Sequence, residues 1–148
     1  MLDEIREESA AYQLRMQDLM SSVLSAEQID GLEQLLQKHP ALVESSGFDD
    51  TEEGTYFHGA ALLHYVAGNP TDHPVPKNAA AATRLLLKYG ADPNSMTDVG
   101  NNTPLCLVAS GRAAREVGVQ IELIDILVEA GAEVDASDGL AIYAALIH

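Results

Sequence analysis

Apolar residues recur along the chain at the spacing of amphipathic helices. Ile29, Leu32, Leu35 and Leu36 are separated by intervals of three and four residues, which place them on one helical face. Alanine and leucine, both good helix formers, account for 40 of the 148 residues. The pattern therefore predicts an all-α protein. Seven helices are expected: 5–24, 26–39, 60–67, 78–89, one that begins at 103, one that ends before 131 and a last one over 140–147.

Helix boundaries are marked by capping residues and breakers. Ser25 with Gln28 fits a capping box that opens the second helix, and Pro40 closes it. Gly90 and Gly131 follow apolar runs, where a glycine with positive φ ends a helix. Irregular loops are predicted over 44–59, over 70–77 with its prolines, and over 111–118, which has a glycine at each end.

Two landmarks in the chain repeat independently. Residues 63–67 (LHYVA) return as 105–109 (LCLVA), a shift of 42 residues. Residues 85–94 (LLLKYGADPN) return as 126–135 (ILVEAGAEVD), a shift of 41. Since the two shifts nearly agree, the sequence indicates a repeat architecture, in which helix pairs stack and share one core.

These motifs resemble the ankyrin repeat family. Thr103-Pro104-Leu105 matches the opening of its repeat, with Cys106 in place of the usual histidine, and Leu63-His64 keeps the second half of that opening. The resemblance implies a single domain over 1–148, a solenoid of about three helix pairs plus a C-terminal half repeat. Its parts are a degenerate N-terminal helix pair (1–44), central repeats (60–94 and 102–135) and a half repeat (138–148).

The repeat period of this chain is longer than that of the family, whose repeats are about 33 residues long. The extra residues fall at 69–78 and 110–120, and both are expected to be loop insertions between paired helices. The resemblance also implies that His64 supports the adjoining loop by hydrogen bonding. In such a solenoid the first helices of successive pairs, the inner helices, lie side by side. They would approach closely at the small residues Ala67, Ala109 and Ala145.

The net charge of the chain limits the classes of molecule that it is expected to bind. Acidic residues outnumber basic ones 23 to 8, and the formal net charge is −15. Nucleic acids and anionic membranes attract basic proteins, so neither is expected as a partner. The lone cysteine cannot form an internal disulfide, and neither an apolar run of about 20 residues nor a signal peptide is present, so a cytoplasmic location is expected.

Candidate catalytic residues are few. His58, His64 and His73 lie close together in the sequence, but their spacings of six and nine residues do not place them on one helical face. A metal-dependent hydrolase around His58, Asp72 and His73 is therefore only a remote hypothesis. Cys106 replaces a packed position, where a thiol is expected to be inert. Phosphate-binding and nucleophile-elbow motifs are absent from the sequence. A non-catalytic protein without cofactor or metal is therefore expected.

The resemblance assigns three loops, which we call finger 1 (44–59), finger 2 (91–102) and finger 3 (132–139). The fingers contain ten acidic residues and no lysine or arginine. Tyr56, Phe57 and Met96 are apolar residues in these polar loops, and could anchor a partner or fold back on the core. The residues expected to bind a partner are Asp49, Asp50, Glu52, Glu53, Tyr56, Phe57, Met96, Asp98, Asp135 and Asp138.

The leading hypothesis is a protein–protein interaction module that binds a basic protein through these fingers and the inner helices. A sharper form is an inhibitor or immunity-type protein that blocks a basic enzyme. The alternative is a self-assembling scaffold, because the C-terminal half repeat carries apolar Ile142, Leu146 and Ile147 and would join subunits into a homo-oligomer.

Overall fold

The computed structural model describes residues 26–43, 60–67, 78–98 and 100–136, and the regular elements in these ranges are helices, with no strand. The all-α prediction is confirmed for them. The helices are α1 (Ala26–Lys38), α2 (Leu62–Ala67), α3 (Ala79–Lys88), α4 (Pro104–Ser110), α5 (Arg112–Val117) and α6 (Gln120–Glu129), with a 3-10 turn at Pro40–Val43. The helices predicted over 5–24 and 140–147, the Ser25 cap and the loops over 44–59 and 70–77 lie outside the described residues.

The helices contact one another in two connected rows. In one row α3 lies against both α1 and α6, and in the other α2 lies against α4. Across the rows, α2 packs on α3 and α4 packs on α6. Each helix pair therefore buries its apolar stripe against its own partner and against the neighbouring pair.

Leucines and small residues form the core. The sequence stripes point inward as predicted, since Leu36 of α1, Leu86 of α3 and Leu127 of α6 are fully buried. α4 is buried over residues 104–109, because it contacts both α2 and α6. Alanines at the contacts, including Ala79, Ala82 and Ala109, leave room for the large side chains of the facing helices.

Glycines end α3 and α6, as the sequence predicts. Gly90 has φ of 95° and Gly131 has φ of 97°. After α3, the Ala91 N–H donates to Leu86 O at 3.0 Å, and after α6 the Ala132 N–H donates to Leu127 O at 2.9 Å. Both ends are Schellman motifs, which satisfy the last helical carbonyls and turn the chain into fingers 2 and 3.

The prediction of a loop over 111–118 is wrong, because residues 112–117 form α5. Its sequence, RAAREV, consists largely of good helix formers, and Gly118 ends it with φ of 84°. Gly111 keeps an extended backbone and so separates α4 from α5. The second insertion is therefore a short helix rather than an irregular loop, and α5 packs against α6.

Candidate interaction surface

The described part of finger 2 is supported by a buried histidine of α2. His64 is fully buried, and its Nε2 lies 3.1 Å from Ser95 O and 3.0 Å from Asn102 O. These carbonyls stand at the two sides of the finger, so one ring holds both. The supporting role that the resemblance implies for His64 is confirmed.

The hydrogen bonds of His64 define its protonation state. The Ala61 N–H donates to Nδ1 at 3.0 Å, so Nδ1 is an acceptor and Nε2 carries the proton. Burial lowers the pKa of His64 from its ordinary value of 6.5, and the hydrogen bonds to the carbonyls partly offset that shift. The folded finger is therefore supported by the neutral form of the His64 ring.

Finger 2 turns back toward the core at Gly100 and Asn101. Gly100 and Asn101 both have positive φ, 79° and 47°. They return the chain so that the Thr97 N–H donates to Asn102 O at 3.1 Å, while the Asn102 N–H donates to Thr97 Oγ1 at 3.1 Å. Finger 2 is thus a hydrogen-bonded structure anchored on α2.

Asn94 joins finger 2 to finger 3. Its Nδ2 donates to Gly131 O at 3.0 Å, and its Oδ1 accepts from the Glu133 N–H at 2.7 Å. The Asn94 N–H itself donates to Asp92 Oδ1 at 2.8 Å. The side chain of one finger therefore holds the backbone of the next, which gives adjacent fingers a defined spacing.

The described parts of fingers 2 and 3 expose acidic and apolar side chains together. Met96 is 46% exposed and Val134 is 51% exposed. Met96 thus does not fold back on the core. Asp98 and Asp135, both predicted site residues, are exposed on the same two fingers. Partner-binding surfaces commonly combine apolar anchors with a charged surround.

Sequence reasoning missed Val134. It occupies the repeat position of Pro93, and its signal was an apolar residue in a polar loop. The other predicted site residues lie outside the described residues: Asp49, Asp50, Glu52, Glu53, Tyr56, Phe57 and Asp138.

The basic residues of the described chain lie on helices. Lys88 Nζ of α3 lies 2.9 Å from Glu33 Oε1 of α1, and Arg84 Nη2 of α3 lies 3.1 Å from Glu122 Oε1 of α6. The hydrogen bond from Lys88 and its charge hold the pKa of the Glu33 carboxyl below its usual value. These surface pairs link successive helices of one row, while the described finger residues contain no lysine or arginine.

Cys106 is buried at the N-terminal end of α4. Burial raises the pKa of its thiol, so the thiol stays protonated at neutral pH. Its Sγ donates to Asn102 Oδ1 at 3.8 Å, and its N–H donates to Thr103 Oγ1 at 3.2 Å. Cys106 thus helps to hold the base of finger 2.

The hydrolase hypothesis depends on His58, Asp72 and His73, all outside the described residues. Within the described ranges, no three His, Cys, Asp or Glu side chains are grouped so that they could bind a metal ion. None of the helices described here has the length and apolar character needed to cross a membrane.

The chain was compared with known proteins. No protein-family model matches it, and neither a curated protein nor a solved structure does so. The interpretation of the surface therefore depends on its own residues and geometry.

Proposed function

We propose that this chain is a non-catalytic protein–protein interaction module that binds a basic protein through its acidic fingers. The observation that carries the proposal is the joint exposure of Met96, Asp98, Val134 and Asp135 on fingers tied to each other and to the core. A loop held before binding loses little conformational entropy when the partner arrives.

The sorting of charge supports a basic partner. The described fingers carry only acidic charged residues, whereas Arg84 and Lys88 are engaged in ion pairs between helices. Acidic side chains that served solubility alone would not need this separation. A surface of one charge attracts a partner of the opposite charge and speeds its association at low salt.

The proposal includes an ankyrin-like solenoid of about three helix pairs plus a C-terminal half repeat. The repeat shifts of 41 and 42 residues support it, as do the contacts of α3 with α1 and α6 and of α2 with α4. In such an arrangement fingers 2 and 3 are equivalent loops of successive repeats, and the Asn94 bridge sets their spacing.

The test is capture of a partner from a lysate of the source cells by the immobilised full chain. A finger variant, Asp98→Asn with Asp135→Asn, is compared with a helix variant of equal charge, Asp30→Asn with Glu116→Gln. All four residues are exposed. We expect one dominant basic protein on the unchanged chain and on the helix variant, reduced on the finger variant and lost at high salt. A protein retained equally by all three at both salt concentrations would overturn the proposal.

A further inference from the structure

One face of α3 is covered by α6. Ala80, Arg84 and Leu87 are separated by four and three residues, so they share a side of the helix. Arg84 donates to Glu122 of α6, which shows that this side faces α6. Ala80 is only 6% exposed, and Leu87 packs against the core.

The repeat places an equivalent face on α6. A shift of 41 residues carries Ala80, Arg84 and Leu87 to Ile121, Asp125 and Val128, which we call the α6 face. Here the apolar residues are open to solvent, with Ile121 73% exposed and Val128 44% exposed. The α6 face thus retains the apolar positions by which α3 receives a helix.

The charge at the centre of the α6 face is reversed. Asp125 stands where α3 has Arg84, and α6 itself contains no lysine or arginine. Suppose that another helix packed on the α6 face in the way that α6 packs on α3. The residue of that helix at the position of Glu122 would then lie next to Asp125. A lysine or arginine at that position would be favourable there, and a carboxylate would be repelled.

We infer that the α6 face docks an amphipathic helix of a partner protein, with an apolar stripe over Ile121 and Val128 and a lysine or arginine against Asp125. A second copy paired through the same face would set Glu122, Asp125 and Glu129 against their own counterparts. Residues 116–148 contain no lysine or arginine, so they cannot supply the basic group. The inference uses residues other than the fingers and does not rest on the proposed function.

The test uses a peptide that imitates α6. A peptide of residues 118–132 carrying Glu122→Lys, held helical by a hydrocarbon crosslink, is titrated against the full chain. The same crosslinked peptide with Glu122 kept is the comparison. We expect the Glu122→Lys peptide to bind more tightly, and the order to reverse on the Asp125→Lys chain.

Two variants of the chain locate the site. Ile121→Ser with Val128→Ser should weaken the Glu122→Lys peptide about tenfold or more, because it removes the apolar contact at exposed positions where the fold is not at stake. The control Gln34→Ser, at an exposed position of α1, should leave this affinity unchanged. The inference is overturned if neither peptide binds, if both bind the unchanged chain equally, or if the Ile121/Val128 variant binds as well as the unchanged chain. It is also overturned if sedimentation shows that the unchanged chain is a dimer and that the Ile121/Val128 variant is a monomer. The occupant of the α6 face would then be a second copy.

Discussion

His64 makes the stability of a surface loop depend on one buried ring. The ring accepts from Ala61 N–H and holds the carbonyls of Ser95 and Asn102, which no aliphatic side chain can do. Because these groups are buried or half-buried, loss of the ring would remove one hydrogen bond from each of them, although Asn102 O would still accept from the Thr97 N–H.

We predict that His64→Ala lowers the free energy of unfolding by about 2–4 kcal/mol, through the cavity and the lost hydrogen bonds. Urea unfolding measures this change. His39→Ala is the control, since His39 is only half-buried at the end of α1, and it should cost less. Equal losses for both variants would contradict the supporting role of His64.

The lowered pKa of His64 predicts a pH dependence. Between its folded value and 6.5 the unfolded chain binds a proton that the folded chain does not bind, so stability falls as pH falls through 6.5. Urea midpoints at about pH 7.5 and about pH 5.5 should therefore differ more for the unchanged chain than for His64→Gln. The other four histidines are common to both proteins and cancel in this comparison. An equal decrease in both would show that His64 is not the titrating group.

At the scale of elements, what the sequence could predict depended on local signals. The ends of α3 and α6 were predictable, since Gly90 and Gly131 each follow a complete apolar stripe. α5 was not, because Gly111 and Gly118 bracket only six residues and read as loop markers. The Asn94 bridge was also beyond sequence reasoning, since it joins residues 37 and 39 positions apart.

The end of α5 can be tested at Gly118. Its φ of 84° disfavours a Cβ although nothing lies within 4 Å of one, so Gly118→Ala should lose about 1–2 kcal/mol of unfolding free energy through backbone strain. Gly118→Asn should lose less, because asparagine tolerates this conformation better. Thermal unfolding compares the two variants. Alanine tolerated as well as asparagine would show that the helix does not end in this way.

Asn94→Ala should release finger 3 from finger 2. We expect the Glu133 amide to lose protection in hydrogen exchange, because its acceptor is Asn94 Oδ1. The Ala132 amide should keep its protection, since its acceptor is Leu127 O of α6. Loss of unfolding free energy should be about 1 kcal/mol. Unchanged exchange at Glu133 would contradict the bridge.

At the scale of the whole molecule, the ion pairs between helices and the acidic fingers occupy different parts of the surface. The ion pairs of Lys88 with Glu33 and of Arg84 with Glu122 run between helices of one row, and exposed pairs of this kind add little stability. The charged residues in the described parts of the fingers are all acidic, and the apolar side chains of Met96 and Val134 are exposed on the same fingers. The charge of the fingers was predictable from the sequence, whereas the exposure of Met96 and Val134 needed the fold.

The interaction-module proposal is tested most directly by the affinity of the captured basic protein for the chain at low and at high salt. The finger variant, Asp98→Asn with Asp135→Asn, and the helix variant, Asp30→Asn with Glu116→Gln, remove equal charge. We predict that the finger variant weakens binding about tenfold at low salt and that the helix variant changes it little. High salt should bring the unchanged chain and the finger variant closer together. Equal affinities for the two variants at low salt would show that net charge, and not the fingers, attracts the partner.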